Sequence, residues 1–227
     1  MTPRLVIFDV DGTLVDSRAI ILAAVRETAT ALGRPVPDPT HALSGVGLSL
    51  DPLMRRLFPS EDDPGLTTRA VEAYKQAFHR LRADPAHHEP AFPGALAVVD
   101  ALATRDDYVL GIATGKSRRG IAAILDRFDW HARFATIQTA DDAPSKPSPV
   151  MVMQAMAETG IGPAETVVVG DTSFDMDMAR AAGAAAIGVS WGNHPVHALR
   201  GAGATRIIDR FEDLHGVLDE LWTRRDE

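Results

Sequence analysis

Short apolar runs alternate with helical periodicities along most of the chain. Residues 4–8, 108–113, 134–138 and 166–169 are apolar or β-branched and bounded by Gly, Asp or Thr, the pattern of strands buried on both faces of a parallel sheet. Two weaker runs of the same kind follow at 185–189 and 206–208. Between them Leu96, Val99 and Leu102, then Ile121, Ile124, Leu125 and Phe128, then Met151, Ala155 and Met156 recur at helical spacing. The βα alternation predicts an α/β fold whose strands are all parallel.

The stretch from Asp16 to about Pro90 breaks that alternation and reads as helical throughout. Ile21, Leu22, Val25, Ala29 and Leu32 form one apolar face, Leu50, Leu53, Met54 and Leu57 a second, and Val71, Tyr74, Phe78 and Leu81 a third. Proline-containing and polar loops at 33–44 and 59–67 separate the three, and ADPAHHEPAFP at 83–93 closes the unit. A helical insertion, residues 16–92, is therefore expected within a core formed by 1–15 and 93–227.

Composition narrows the function classes. A chain of 227 residues, 45% hydrophobic and 24% charged, can bury a core, which excludes disorder as the main state. Lys and Arg number 23 against 31 Asp and Glu, a net charge of −8, which repels polyphosphate backbones and anionic lipid. Neither nucleic acid nor a membrane surface is an expected partner, and monomer and homodimer both stay open. Cysteine is absent, which leaves carboxylate and histidine chemistry. The run from Leu5 to Phe8 is too short for a signal-peptide core, and the uncharged stretch 181–199 is interrupted by glycines, His194, Pro195 and His197, so a cytoplasmic location is expected.

The richest chemistry follows the first strand, in Asp9-Val10-Asp11-Gly12-Thr13-Leu14-Val15-Asp16-Ser17. In an open α/β sheet ligands bind beyond the carboxyl ends of the strands, where both acids would point. Two carboxylates two residues apart suit a division of labour: one attacks or binds metal while the other moves a proton. Thr114-Gly115-Lys116-Ser117 follows the second strand and opens a helix, offering a hydroxyl and backbone N–H groups to an anion. Lys146 is a cation ahead of another helix, and Gly170-Asp171-Thr172-Ser173-Phe174-Asp175 adds two carboxylates after a later strand. Any one of these alone is as consistent with capping or a solvated turn; together, at successive strand ends, they form a site.

This order of motifs, over nearly the whole chain, resembles the haloacid dehalogenase superfamily, in its branch of phosphoglycolate phosphatases and β-phosphoglucomutases. The resemblance implies a Rossmann-like core and a helical cap inserted after the first motif. It also implies Asp9 as the nucleophile that forms an aspartyl phosphate, with Asp11 protonating the leaving alcohol and then activating water. Mg²⁺ would sit between the carboxylates of Asp9 and Asp171 and the backbone carbonyl of Asp11. Thr114, Gly115 and Lys146 would hold phosphoryl oxygens, and Asp175 would orient Lys146 or a metal-bound water. Dehalogenases of the superfamily lack the second aspartate and its ion-pumping ATPases carry threonine there, so Asp11 points to phosphate chemistry. The mutases carry a basic residue in the cap loop, where 45–50 has none, so hydrolysis of a small phosphorylated metabolite is placed above a mutase reaction.

Weaker candidates remain. Gly45, Gly47 and Leu48 either approach substrate or form an interhelical turn, and the small apolar and glycine content of their loop suggests a small leaving group, compatible with phosphoglycolate. Arg18, Arg55 and Arg56 either bind a substrate carboxylate or lie solvated. His194 with His197 and His87 with His88 read as polar loops, Trp191, Trp222, Met151, Met153 and Met156 as packing, and Arg224 and Arg225 as a frayed tail. A phospho-aspartate signalling switch combines the same residue types, but such receivers place adjacent acids after the first strand and the acceptor after the third, unlike this DxD with a large insertion behind it.

Overall fold

A computed structural model describes residues 3–59 and 61–223, and Arg224 and Arg225 lie outside them. Six strands, β1 (Arg4–Phe8), β2 (Tyr108–Ala113), β3 (Thr136–Gln138), β4 (Thr166–Gly170), β5 (Ala185–Val189) and β6 (Arg206–Ile208), form one sheet in the order β3-β2-β1-β4-β5-β6. All pairings are parallel, with Phe8 of β1 opposite Ile112 on one side and Val169 on the other. The order reverses direction between β1 and β4, and at such a switch point the crossover helices leave on opposite faces and open a crevice at the carboxyl ends of the strands.

Both faces are covered. Val6 and Phe8 join the core that holds Val99, Leu102, Ile124 and Leu218, while Leu5 and Ile7 join the one that holds Met151, Ala155, Met176 and Ala179. Successive side chains of a strand point to opposite faces, so a strand sandwiched in this way must be apolar at every position. The helices are α5 (Ala95–Ala103), α6 (Arg118–Phe128), α7 (Val150–Thr159), α8 (Ser173–Ala181), α9 (Val196–Gly201) and α10 (Leu214–Thr223).

The segment between β1 and α5 carries α1 (Arg18–Ala31), α2 (Pro39–Leu43), α3 (Leu50–Leu57) and α4 (Leu66–Arg82). Their inward residues, among them Val25, Ala29, Met54, Leu57, Ala70 and Tyr74, make a separate core. The chain leaves and re-enters side by side: Val15 and Ala91 form an antiparallel bridge, and Asp16 N donates to Pro90 O at 2.8 Å.

Four expectations need correction. Helix α2 lies inside the stretch 33–44 read as loop; Pro39 sits in its first turn, where a missing N–H costs nothing, and Asp38 caps it by accepting from Thr40 N and His41 N. Strand β3 begins at Thr136 rather than 134, because this edge strand pairs only from Gly111 to Ala113 and Phe134 packs edge-on against Trp130. Met153 is 53% exposed and Leu96 44%, since α7 buries Met151, Val152 and Ala155 and α5 buries Ala95, Val98, Val99 and Leu102. Trp191 and Trp222 do pack, against Phe92 and Phe211 and against Tyr108 respectively.

Trp130 is among the largest fully buried side chains and stacks with Phe128 and Phe134, ring centroids 4.9 and 5.9 Å away. Truncation to alanine leaves a cavity that this close-packed region cannot refill, so Trp130→Ala costs about 3–5 kcal/mol. An unchanged urea midpoint would contradict that packing role.

Candidate active site

The site grows out of the loops at the carboxyl ends of β1, β2 and β4. Asp9 continues the ladder of β1, its N–H donating to Val169 O at 2.9 Å. The chain then recoils: Val10 O accepts from Leu14 N at 3.0 Å and Val15 N at 2.9 Å, and Gly12 adopts φ +90°. A Cβ at Gly12 would lie 2.2 Å from Asp171 Oδ2, so glycine is required both for backbone conformation and for the closeness of the two loops.

Three carboxylates meet here. Asp9, Asp171 and Asp175 are buried and present oxygens within 4.8 Å of one another. Lys146 Nζ donates to Asp9 Oδ1 and Asp175 Oδ1, both at 2.6 Å. The second oxygen of Asp175 accepts from Thr172 N at 3.0 Å and Thr172 Oγ1 at 2.6 Å in a capping box at the start of α8. Asp171 accepts from Thr13 Oγ1 at 3.2 Å, Asn193 N at 2.7 Å and Asn193 Nδ2 at 2.8 Å. Asp9 Oδ2, by contrast, is buried and has no hydrogen-bond partner.

The electrostatics follow. Burial and the neighbouring Asp175 and Asp171 charges hold the Asp9 carboxyl well above the usual carboxylate range, although Lys146 opposes them. Burial and Asp175 raise Asp171 to about 7, against the bonds from Asn193. Burial lowers Lys146, but Asp175 and Asp9 outweigh it and hold the ammonium charged. Three buried acids against one cation are a donor set that fits a hard divalent cation.

Asp11 faces the other way. Its Oδ1 accepts from Ser17 Oγ at 2.5 Å and lies 2.8 Å from Lys116 Nζ, and its carboxylate is not part of the cluster of Asp9, Asp171 and Asp175. Lys116 also donates to Glu89 Oε1 at 3.0 Å, and Glu89 accepts from Arg82 Nε at 2.8 Å. Burial works against the charge of Glu89, but Lys116 and Arg82 hold its carboxyl below the ordinary value.

At the end of β2 the buried Thr114 is tied to β3 through its N–H, 3.0 Å from Gln138 O. Gly115 meets the loop between α2 and α3 so closely that a Cβ would lie 2.7 Å from both Gly47 O and Leu48 O. Ser49 N donates to Ser145 Oγ at 2.9 Å across the same seam. Gly47 and Leu48 thus reach the site, whereas Gly45 packs under Leu53, where a Cβ would come within 2.6 Å of Leu53 Cδ1. Gly115→Ala must push this loop away, and kcat/KM falls about tenfold with little change in thermal midpoint. Unchanged kinetics would show that the contact is dispensable.

Sequence reasoning did not single out Ser17, Arg82, Glu89, Lys116, Asn193 or Thr172. Lys116 and Ser17 lie within the motifs already read, but Glu89 and Asn193 sit in loops with no local signal. His194, read as a polar loop residue, bridges two segments: Nδ1 accepts from Ser173 N at 3.0 Å and Nε2 is 3.0 Å from Ser44 O. Arg18, Arg55 and Arg56 bond Asp16, Asp51 and Ser44. Among the described residues His87, His88 and His197 join no metal-ligating group. A cavity of about 390 Å³ opens beside Asp11 and Gly115 and runs toward α1, α3 and α4.

A family model for haloacid dehalogenase-like hydrolases matches residues 6–189. The chain belongs to this family. The haloacid dehalogenase-like chain is 36% identical over 220 residues to "Probable phosphatase IndB" of Dickeya dadantii, covering 96% of this chain and 94% of that protein. It is 32% identical over 222 residues to "Phosphoglycolate phosphatase 1" of Pseudomonas aeruginosa, covering 96% and 80%. A solved hydrolase from Pseudomonas syringae superposes with TM-score 0.82 at 29% identity, over 96% of this chain and 98% of that one. The family, the α/β core and an enzyme of the phosphatase type therefore stand as expected. No helix among the described residues is long and apolar enough to cross a membrane.

Proposed function

We propose that this hydrolase is a cytoplasmic, Mg²⁺-dependent phosphatase that cleaves a phosphorylated metabolite through an aspartyl phosphate on Asp9. The observation that carries it is the bare Oδ2 of Asp9, buried at a strand end while Lys146 holds the other oxygen. A nucleophile needs one oxygen fixed and one free.

In the first step Asp9 Oδ2 attacks phosphorus, the phosphorus–oxygen bond to the alcohol breaks, and Asp11 gives its proton to the departing oxygen. In the second, water attacks the same phosphorus, Asp11 takes up its proton, and the bond to Asp9 breaks to release inorganic phosphate. Thr114, the Gly115 N–H and Lys146 hold the equatorial oxygens, whose charge grows in each transition state. Asp175 keeps Lys146 aimed, and Thr172 keeps Asp175 in place. Asp9, Asp171 and the Asp11 carbonyl would hold Mg²⁺, which would supply positive charge that lets an anionic ester approach an anionic nucleophile. The helices of 16–92 act as a cap over a core of 1–15 and 93–227, hinged where Val15 bridges Ala91, and closure keeps bulk water from the acyl phosphate.

Phosphate release from a panel of monoesters, with Mg²⁺ and with a chelator in its place, tests the reading. Release is expected only with the metal; release that persists under chelation would remove the metal from the mechanism.

A further inference from the structure

The cavity beside Asp11 is built for the alcohol half of the ester. Its volume, about 390 Å³, falls in the range of roughly 300–1,000 Å³ typical of sites for organic ligands. A two-carbon alcohol leaves most of that space unfilled. Ile21, Val46, Leu48, Leu53, Tyr74 and Phe78 converge on it from α1, the loop before α3, α3 and α4.

The charged groups at its inner end are already matched. Lys116 Nζ lies 2.8 Å from Asp11 and 3.0 Å from Glu89, and Arg82 lies 2.8 Å from Glu89. Both cations also sit against the Phe78 ring, 5.2 and 4.9 Å from its centroid. Glu89 and the Phe78 ring hold both cations in place, so a carboxylate or second phosphate entering here must displace those contacts and lose its hydration. Lys75, His79 and Arg119 line the cavity too, but they are exposed at its rim, where water competes for any anion. An uncharged ring gains on the walls formed by Ile21, Val46, Leu48 and Leu53, by burial of apolar area, and by contact with Tyr74 and Phe78.

We propose that the substrate is a phosphate monoester whose alcohol part is an uncharged, ring-sized apolar body, in place of the small leaving group expected from the loop glycines. This rests on the phosphatase reading, with Asp11 serving the oxygen that joins the two halves.

The test compares 2-phenylethyl phosphate with 2-phosphoglycolate, both esters of primary alcohols, using the Mg²⁺-loaded protein. The ring ester is expected to have a kcat/KM about tenfold to a hundredfold higher, the size of effect that filling an apolar pocket supplies. Leu50→Trp, which fills the cavity from the first turn of α3, is expected to cut that ratio about fivefold. If this variant does not fold, the wild-type ratio decides alone. Equal or inverted values overturn the inference and leave the phosphatase reading in place. No phosphate from either ester, or from methyl phosphate, overturns both.

Discussion

Asp9→Asn is expected to lower kcat by at least about 10⁴-fold, the scale seen when a covalent nucleophile is removed. The amide is nearly isosteric, and its oxygen can still accept from Lys146, which bonds Asp9 Oδ1 in the native chain. What disappears is the bare second oxygen. Binding of the phosphate group, which the proposed mechanism assigns to Thr114, Gly115 and Lys146, should survive, so the loss is expected to fall on kcat more than on KM. Stability should change little, because the amide oxygen keeps the bond from Lys146 and Asp175 remains as that ammonium's ionic partner. An acid quench during turnover should trap phosphate on wild-type protein and none on the variant. Residual turnover near the wild-type rate would remove Asp9 from the nucleophile's role.

Lys146→Met should damage both fold and catalysis. Lys146 is the fully buried cation that joins Asp9 and Asp175. Removing one partner of a buried ionic cluster leaves uncompensated charge, a loss of about 3–5 kcal/mol. Losing a donor to the transferring phosphoryl group lowers kcat by a further factor of about 10²–10³. Mg²⁺ should recover part of the stability in the variant and more than it adds to wild type, since the same carboxylates are left with less positive charge.

The pH dependence has a definite sign. Asp171 is raised to about 7 from an ordinary 3.8, so the folded protein holds this proton more tightly than the unfolded chain does. Its favourable contribution is fully present below 3.8 and is lost as pH climbs through about 7. The thermal midpoint of the chelated protein should fall between about pH 4 and 7 through this group and level off above that, to roughly the extent expected of linkage at one shifted carboxyl. Mg²⁺, which favours the ionised form, should flatten that fall. A midpoint equally pH-dependent with and without Mg²⁺ would separate the acid cluster from metal binding.

Much of this was legible in order along the chain. Buried parallel strands are apolar at every position and their helices carry an apolar stripe, so β1, β2, β4 and β5 and the three longer helices between 18 and 82 show in the local pattern. A reactive loop after a strand is local too, which is why Asp9, Asp11, Thr114, Lys146, Asp171 and Asp175 could be named. Pro39 was misread because proline marks a helix start as readily as a loop, and the distinction lies in the Asp38 cap behind it.

By itself, then, the sequence determined the α/β class, the inserted helices and the acids and bases of the candidate site, all of which depend on neighbours within a few residues. Tertiary structure alone decided what those groups touch. The pairing of Lys116 with Asp11 and Glu89, the clasp of Asn193 on Asp171, the bridge from His194 to Ser44 and the breadth of the cavity join residues far apart in the chain. Charge matching and cavity shape are sums over such distant neighbours, and they exist only once the strands have paired and the helices of 18–82 have closed over them.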